Sequence, residues 1–166
     1  MDIFEFAMEK EQLAEKYYRQ LADKAEHAGF KNILNMLADQ EAEHYRVVRQ
    51  MKASTPVTLT ETPVLANAKE IFEKMRKTAE SFSFDISEAE LYRKATVMEQ
   101  QSKKYYLEKA EEVDSAEQKK IFRQLAAEEE KHIVLVQTIA DFVAKPETFL
   151  ENAEFAHFDD YADGEF

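Results

Sequence analysis

Along most of the chain apolar residues recur at steps of three and four, the period of helices that bury one face. This pattern runs from about residue 2 to 28, stops at Gly29, resumes from about 30 to 53 and is broken by STPVTLTETP at 54–63. It predicts a helical hairpin. Thr62 and Pro63 predict a cap and a first-turn proline, opening a shorter helix over VLANAKEIFEKMRK at 64–77, inside a long connection. Ser87 and Glu90 have the spacing of a capping box and predict a third long helix over about 87–113. After a turn near Asp114 and Ser115, a fourth long helix is expected to run to about 144, where Pro146 ends it. The domain expectation is therefore a helical unit over 1–145 and an acidic, aromatic tail over 146–166.

The two hairpins are related. Sliding the chain by 88 residues aligns 7–48 with 95–136 without a gap and gives 15 identities in 42 positions, among them Glu11, Tyr17, Tyr18, Glu41 and His44. Unrelated helices of this composition would share about three. Two copies of one hairpin joined by a long crossover predict an all-α fold, a ferritin-like four-helix bundle.

The apolar seams carry polar interruptions at matching places. On the second helix the seam is Phe30, Leu34, Leu37, Glu41, His44, Val48 and Met51, and on the fourth Phe122, Leu125, Glu129, His132, Val136, Ile139 and Val143. The first runs Phe4, Ala7, Glu11, Ala14, Tyr18, Leu21, Ala25, and the third Ala95, Glu99, Ser102, Tyr106, Ala110, Val113. Each helix thus turns one glutamate inward, and two add a histidine one turn later. Glu11 lies 18 residues before Gly29, and Glu41 and His44 lie 12 and 15 after it. At about 1.5 Å per residue, with allowance for the turn, they share a level.

Four carboxylates buried at one level repel one another and lose hydration, at several kcal/mol per ion unless a positive charge compensates. Two divalent cations balance four carboxylates, and two imidazoles beside them favour a transition metal over calcium or magnesium. Glu11, Glu41, His44, Glu99, Glu129 and His132 are therefore expected to ligate two metal ions. Tyr18 and Tyr106, two turns from the carboxylates of their own seams, are expected to hydrogen-bond to a ligand. Tyr17 and Tyr105 are expected to pack against neighbours, and His27 and His157 to lie at the surface. The EEE and KK runs read as solvated helix faces, with only Glu129 singled out by its seam position.

Charge and composition narrow the partners. A net charge of −12 argues against nucleic acid or an anionic membrane. With no cysteine the chain has no disulfide, thiolate metal site or iron–sulfur centre of its own. The opening MDIFEFAMEK lacks a basic segment followed by an apolar run, and no stretch approaches 18 apolar residues. A cytoplasmic location and no membrane are the expectations.

The site residues resemble the rubrerythrin branch of the ferritin-like di-iron proteins. The likeness rests on Ala-x3-Glu-x6-Tyr at Ala7/Glu11/Tyr18 and Ala95/Glu99/Tyr106, with ExxH at Glu41/His44 and Glu129/His132, and it covers about 2–144. ENAEF at 151–155 also looks like the tails of some members. The resemblance implies two iron ions per chain, bridged by Glu41 and Glu129, with Glu11 and Glu99 as terminal ligands and His44 and His132 each on one iron. Manganese and zinc accept the same ligands. Where rubrerythrins usually carry a further glutamate one turn after the third-helix ligand, this chain has Ser102. The rubredoxin domain common in that family is not in this sequence.

The leading expectation of function is a non-haem di-iron oxidoreductase. It would reduce hydrogen peroxide, or react with oxygen, with electrons from an external donor such as a rubredoxin-like protein, and a homodimer is expected. A ferritin-like iron oxidation and storage protein is the first alternative, and a structural bundle stabilised by its metal is the second.

Overall fold

A computed structural model of the chain describes residues 1–77 and 86–146. These residues form five helices: α1 (Ile3–Lys24), α2 (Ala28–Lys52), α3 (Val64–Lys77), α4 (Ile86–Glu112) and α5 (Ala116–Ala144). No strand occurs among the described residues, so the fold is all-α, with α1, α2, α4 and α5 as the bundle and α3 in the crossover. No helix among them is long and apolar enough to cross a membrane.

Local chemistry sets the helix ends. Asp2 caps α1 by accepting from the Glu5 amide at 2.8 Å, and Ser115 caps α5 by accepting from the Gln118 amide at 3.2 Å. α1 stops at Lys24, earlier than periodicity predicts, because His27 caps the next helix: its Nδ1 accepts from the Gly29 amide at 3.0 Å. His27 is therefore a capping residue, and Gly29 sits in the first turn of α2 rather than between helices. A Cβ at Gly29 would meet Ile71 and Met75 of α3 at 3.0 Å, so the glycine lets α3 lie close against α2.

The expected caps of the other two helices come out differently. The Thr62 hydroxyl donates to Glu128 of α5 at 2.8 Å. It ties the crossover to the bundle, while α3 opens with a bond from the Asn67 amide to the Pro63 carbonyl. α4 already includes Ile86, so Ser87 lies inside its first turn and does not stand before it as a cap. Of the tail expected at 146–166, residues 147–166, and His157 with them, lie outside the described residues.

The repeat appears as a two-fold relation. Tyr17 donates to the Leu91 carbonyl and Tyr105 to the Ile3 carbonyl, both at 2.7 Å, and each residue of one pair is 88 from its counterpart in the other. Both tyrosines thus pack across to the facing hairpin, and α1 and α4 run antiparallel. At the hairpin's other seam Lys52 of α2 reaches Glu5 of α1 at 2.5 Å.

Two apolar clusters fill the bundle. One holds Tyr18, Leu21, Phe30, Leu34, Leu37, Phe72, Ile139 and Phe142; the other holds Ala7, Val48, Met51, Tyr106, Phe122 and Leu125. Phe30, Phe72, Phe122 and Phe142 are fully enclosed, each contributing about 1.5–3 kcal/mol on transfer from water. Along every bundle helix the glutamate of the seam falls between the two clusters, which makes one polar layer across the middle of an otherwise apolar core.

Candidate metal centre

All six predicted site residues meet in that layer, and all are buried. They converge because each occupies a seam position on its helix, and because α2 and α5 place histidine one turn after glutamate on the same face. Glu11, Glu41, His44 and Glu129 form one group, and Glu41, Glu99, Glu129 and His132 the other, with ligand atoms in each within 4.8 Å of one another. Glu41 and Glu129 belong to both.

The distances within the groups mirror each other. His44 Nδ1 lies 2.8 Å from Glu129 Oε1, 3.6 Å from Glu11 Oε2 and 4.0 Å from Glu41 Oε2. His132 Nδ1 lies 2.8 Å from Glu41 Oε1, 3.5 Å from Glu99 Oε1 and 3.9 Å from Glu129 Oε2. Ligands about 2.1 Å from a metal ion stand about 3 Å apart at right angles and about 4 Å apart when opposite. The spacing suits two ions. Each shared carboxylate turns one oxygen to each imidazole, and the two imidazoles are parallel within 8° with centroids 5.5 Å apart.

The protonation pattern tells the same story. Burial, reinforced by the charges of the neighbouring carboxylates, pushes Glu41 and Glu129 well above the usual carboxylate range. Burial opposes ionisation of Glu99 and Glu11 too. For Glu99, hydrogen bonding with Glu129 and the charge of His132 outweigh it and hold the group down at about 2. For Glu11, hydrogen bonding with Glu41 and the charge of His44 do the same in direction. Burial favours a neutral His44, yet the charge and hydrogen bond of Glu11 raise it. Protons therefore collect on the two shared carboxylates, where bridged cations would take their place. Apart from the carboxylate–carboxylate contacts, which need a shared proton, Glu11 Oε2, Glu99 Oε2 and Glu129 Oε2 are buried without a hydrogen-bond partner. Such groups are costly to leave unmet, so the donor set fits a pair of divalent ions.

Tyr18 and Tyr106 do bond to carboxylates of the centre, but across the bundle. Tyr18 donates to Glu99 Oε1 and Tyr106 to Glu11 Oε1, each at 2.5 Å. The accepting carboxylate comes in each case from the facing helix of the other hairpin. Burial, then the charge of the accepting glutamate, raises both phenols well above their ordinary value, which keeps them hydrogen-bond donors. Ser102 is 8% exposed and occupies the position one turn after Glu99.

Two site neighbours escaped the seam reading. Glu128, in the EEE run expected to be solvated, and Lys131, which no motif singles out, are 0% and 2% exposed. They bond to each other at 3.4 Å and to Glu61 and Thr62 of the crossover. The signal that could have found them is the nearly unbroken apolar run IVLVQTIADFVA at 133–144. It marks a helix covered on more than one face.

The family model described as rubrerythrin matches residues 2–140 of the chain. No curated protein and no solved structure matches it.

Proposed function

The chain belongs to the rubrerythrin family, and on that premise we propose that it is a di-iron oxidoreductase that reduces hydrogen peroxide with electrons from an external donor. The observation that carries this reading is the pair of shared carboxylates, Glu41 and Glu129, each facing both imidazoles. In the proposed centre Glu41 and Glu129 would be shared by two irons, Glu11 and His44 would hold one of them, and Glu99 and His132 would hold the other. Bound iron supplies exchangeable electrons and Lewis acidity toward an oxygen ligand.

The chain's own residues do the rest. Tyr106 and Tyr18 fix the terminal carboxylates Glu11 and Glu99 by hydrogen bonds, and the apolar clusters on either side limit water around them. Reduction of one peroxide to two waters consumes two electrons, which the external donor would supply, and two protons, which solvent would supply. The electrons come from outside this sequence, which has no cysteine for a rubredoxin-type centre. A rubredoxin-like protein is the proposed donor. The reading also takes the chain as a cytoplasmic homodimer whose residues 1–145 make up the di-iron unit.

Stopped-flow oxidation of the diferrous protein tests the proposal. Peroxide is expected to oxidise the centre faster than oxygen does, with about one peroxide consumed per pair of irons. Faster reaction with oxygen, accompanied by many ferric ions per chain in a large assembly, would replace this reading with iron storage.

A further inference from the structure

Phe6 is 42% exposed, yet it begins a run of contacts that ends at the proposed centre. Its ring centroid lies 5.0 Å from that of Tyr105, and the Tyr105 centroid lies 5.9 Å from that of Tyr106, spacings at which aromatic rings touch. Tyr106 in turn donates to Glu11 Oε1. Three rings in a row therefore join solvent to a proposed ligand.

The internal repeat supplies the comparison. A shift of 88 pairs Tyr105 and Tyr106 with Tyr17 and Tyr18, whose centroids lie 6.3 Å apart and which reach the other position through Glu99. The same shift puts Lys94 in the place of Phe6, and among the described residues the one ring that Tyr17 touches is Tyr18. The second run thus stops at a half-buried tyrosine, and the first alone carries an aromatic ring out to the surface.

Ammonium groups flank the first run. Lys10 Nζ lies 5.4 Å from the Phe6 centroid and 5.3 Å from that of Tyr105, and Lys109 Nζ lies 5.2 Å from Tyr105. Lys109 shares its charge with Glu112 at 2.9 Å, which leaves Lys10 as the main cation on these rings. A cation over a ring face attracts its electrons and so opposes their removal. The Tyr105 hydroxyl donates to the Ile3 carbonyl, which is no base to take its proton. A ring so placed resists oxidation, and an electron crosses it by tunnelling, which is fastest where touching groups leave the fewest gaps.

We propose that electrons from the external donor enter along Phe6, Tyr105 and Tyr106 and arrive, by way of Glu11, at the position of Glu11 and His44. This rests on the di-iron reading above and adds a point of entry to it. Each one-electron donor is oxidised once, two such transfers return two ferric ions to the ferrous state, and no bond in the tyrosines forms or breaks. Tyr105 is a positioning residue: its ring joins Phe6 to Tyr106 and touches neither ion nor substrate.

The chain has no cysteine, so a single introduced one carries a ruthenium polypyridyl photosensitiser. Glu9→Cys places it one turn from Phe6, and Val97→Cys places it at the repeat partner of Glu9, one turn from Lys94; both positions are exposed. Transient absorption then gives the rate at which a flash reduces the iron-loaded, oxidised full chain from each position. Reduction is expected to be several-fold faster from position 9 than from position 97. Tyr105→Leu should slow reduction from position 9 several-fold and leave that from position 97 unchanged, and Tyr105→Phe, which keeps the ring, should restore the rate. Equal rates from the two positions, an unchanged rate from position 9 in Tyr105→Leu, or an equal slowing from both would each overturn the proposal. If Tyr105→Leu does not fold, the comparison of positions 9 and 97 with Tyr105 in place decides. Two irons reduced equally fast from both positions would sink the point of entry alone, whereas a full chain that binds no iron would sink the di-iron reading and this proposal with it.

Discussion

Glu41 and Glu129 differ from Glu11 and Glu99 although all four arise from one repeated pattern. The first two lie one turn before a histidine and are pushed toward the protonated state by burial and their neighbours; the other two are held ionised. Replacing His44 or His132 with Ala should weaken one metal position more than the other and leave helicity intact, checked by metal analysis and circular dichroism. Loss of both ions from either variant would show that the positions cannot be separated. Tyr106→Phe removes the hydrogen bond on Glu11 Oε1, so iron affinity should fall by about tenfold or more; an unchanged affinity would contradict a role for the phenol in fixing that carboxylate. At this scale the buried polar layer was legible because a carboxylate on an apolar seam has only a metal or another charge to answer it. The tyrosine partners were not legible, since a seam says which face is buried and not which helix faces it.

The spacing that located the four bundle helices also misplaced some of their ends. Gly29 reads as a break, yet its role is to admit Ile71 and Met75 of α3. Gly29→Ala would gain about 0.8–1 kcal/mol in helix propensity and lose about 1–3 kcal/mol to overpacking. Ile71 is β-branched and Met75 is buried, so neither yields freely. A net loss of about 1 kcal/mol is expected by denaturant unfolding, and a stabilised variant would show that α3 moves away without cost. Thr62 and the Glu128–Lys131 pair were hidden for a related reason. Nothing in a helix's own period reveals that a crossover will lie across its polar stripe, and only the apolar run after His132 hints that α5 is enclosed.

For the whole molecule the polar layer links metal, pH and stability. Consider the protein without metal. Glu41 and Glu129 have raised values in the fold, so the stability they lend is complete below the unfolded value near 4.3 and is lost as pH rises above it. His44, also raised, lends stability below about 6.5 that disappears as pH rises through its folded value. Glu11 and Glu99 are lowered; their contribution is present above about 4.3 and is lost only in stronger acid, for Glu99 near 2. The metal-free protein should therefore melt higher at about pH 5.5 than at pH 7.5. The loaded protein should show the reverse, because protons compete with cations for the same atoms. Thermal melts of both forms at the two pH values check this, and a metal-free protein that is more stable at pH 7.5 would contradict it. The bundle and its repeat were legible from residues 7–48 and 95–136, since both hairpins keep the same seam; what the repeat could not reveal is where its two halves differ.

The central claim is that this layer is a dinuclear site. Its most direct test is the iron content of the full chain after anaerobic loading with Fe(II) and removal of free metal. Two irons per chain are expected, falling in Glu41→Ala and Glu129→Ala, the variants that remove a shared carboxylate. One iron or none in the wild type, or two that survive the loss of both Glu41 and Glu129, would contradict it.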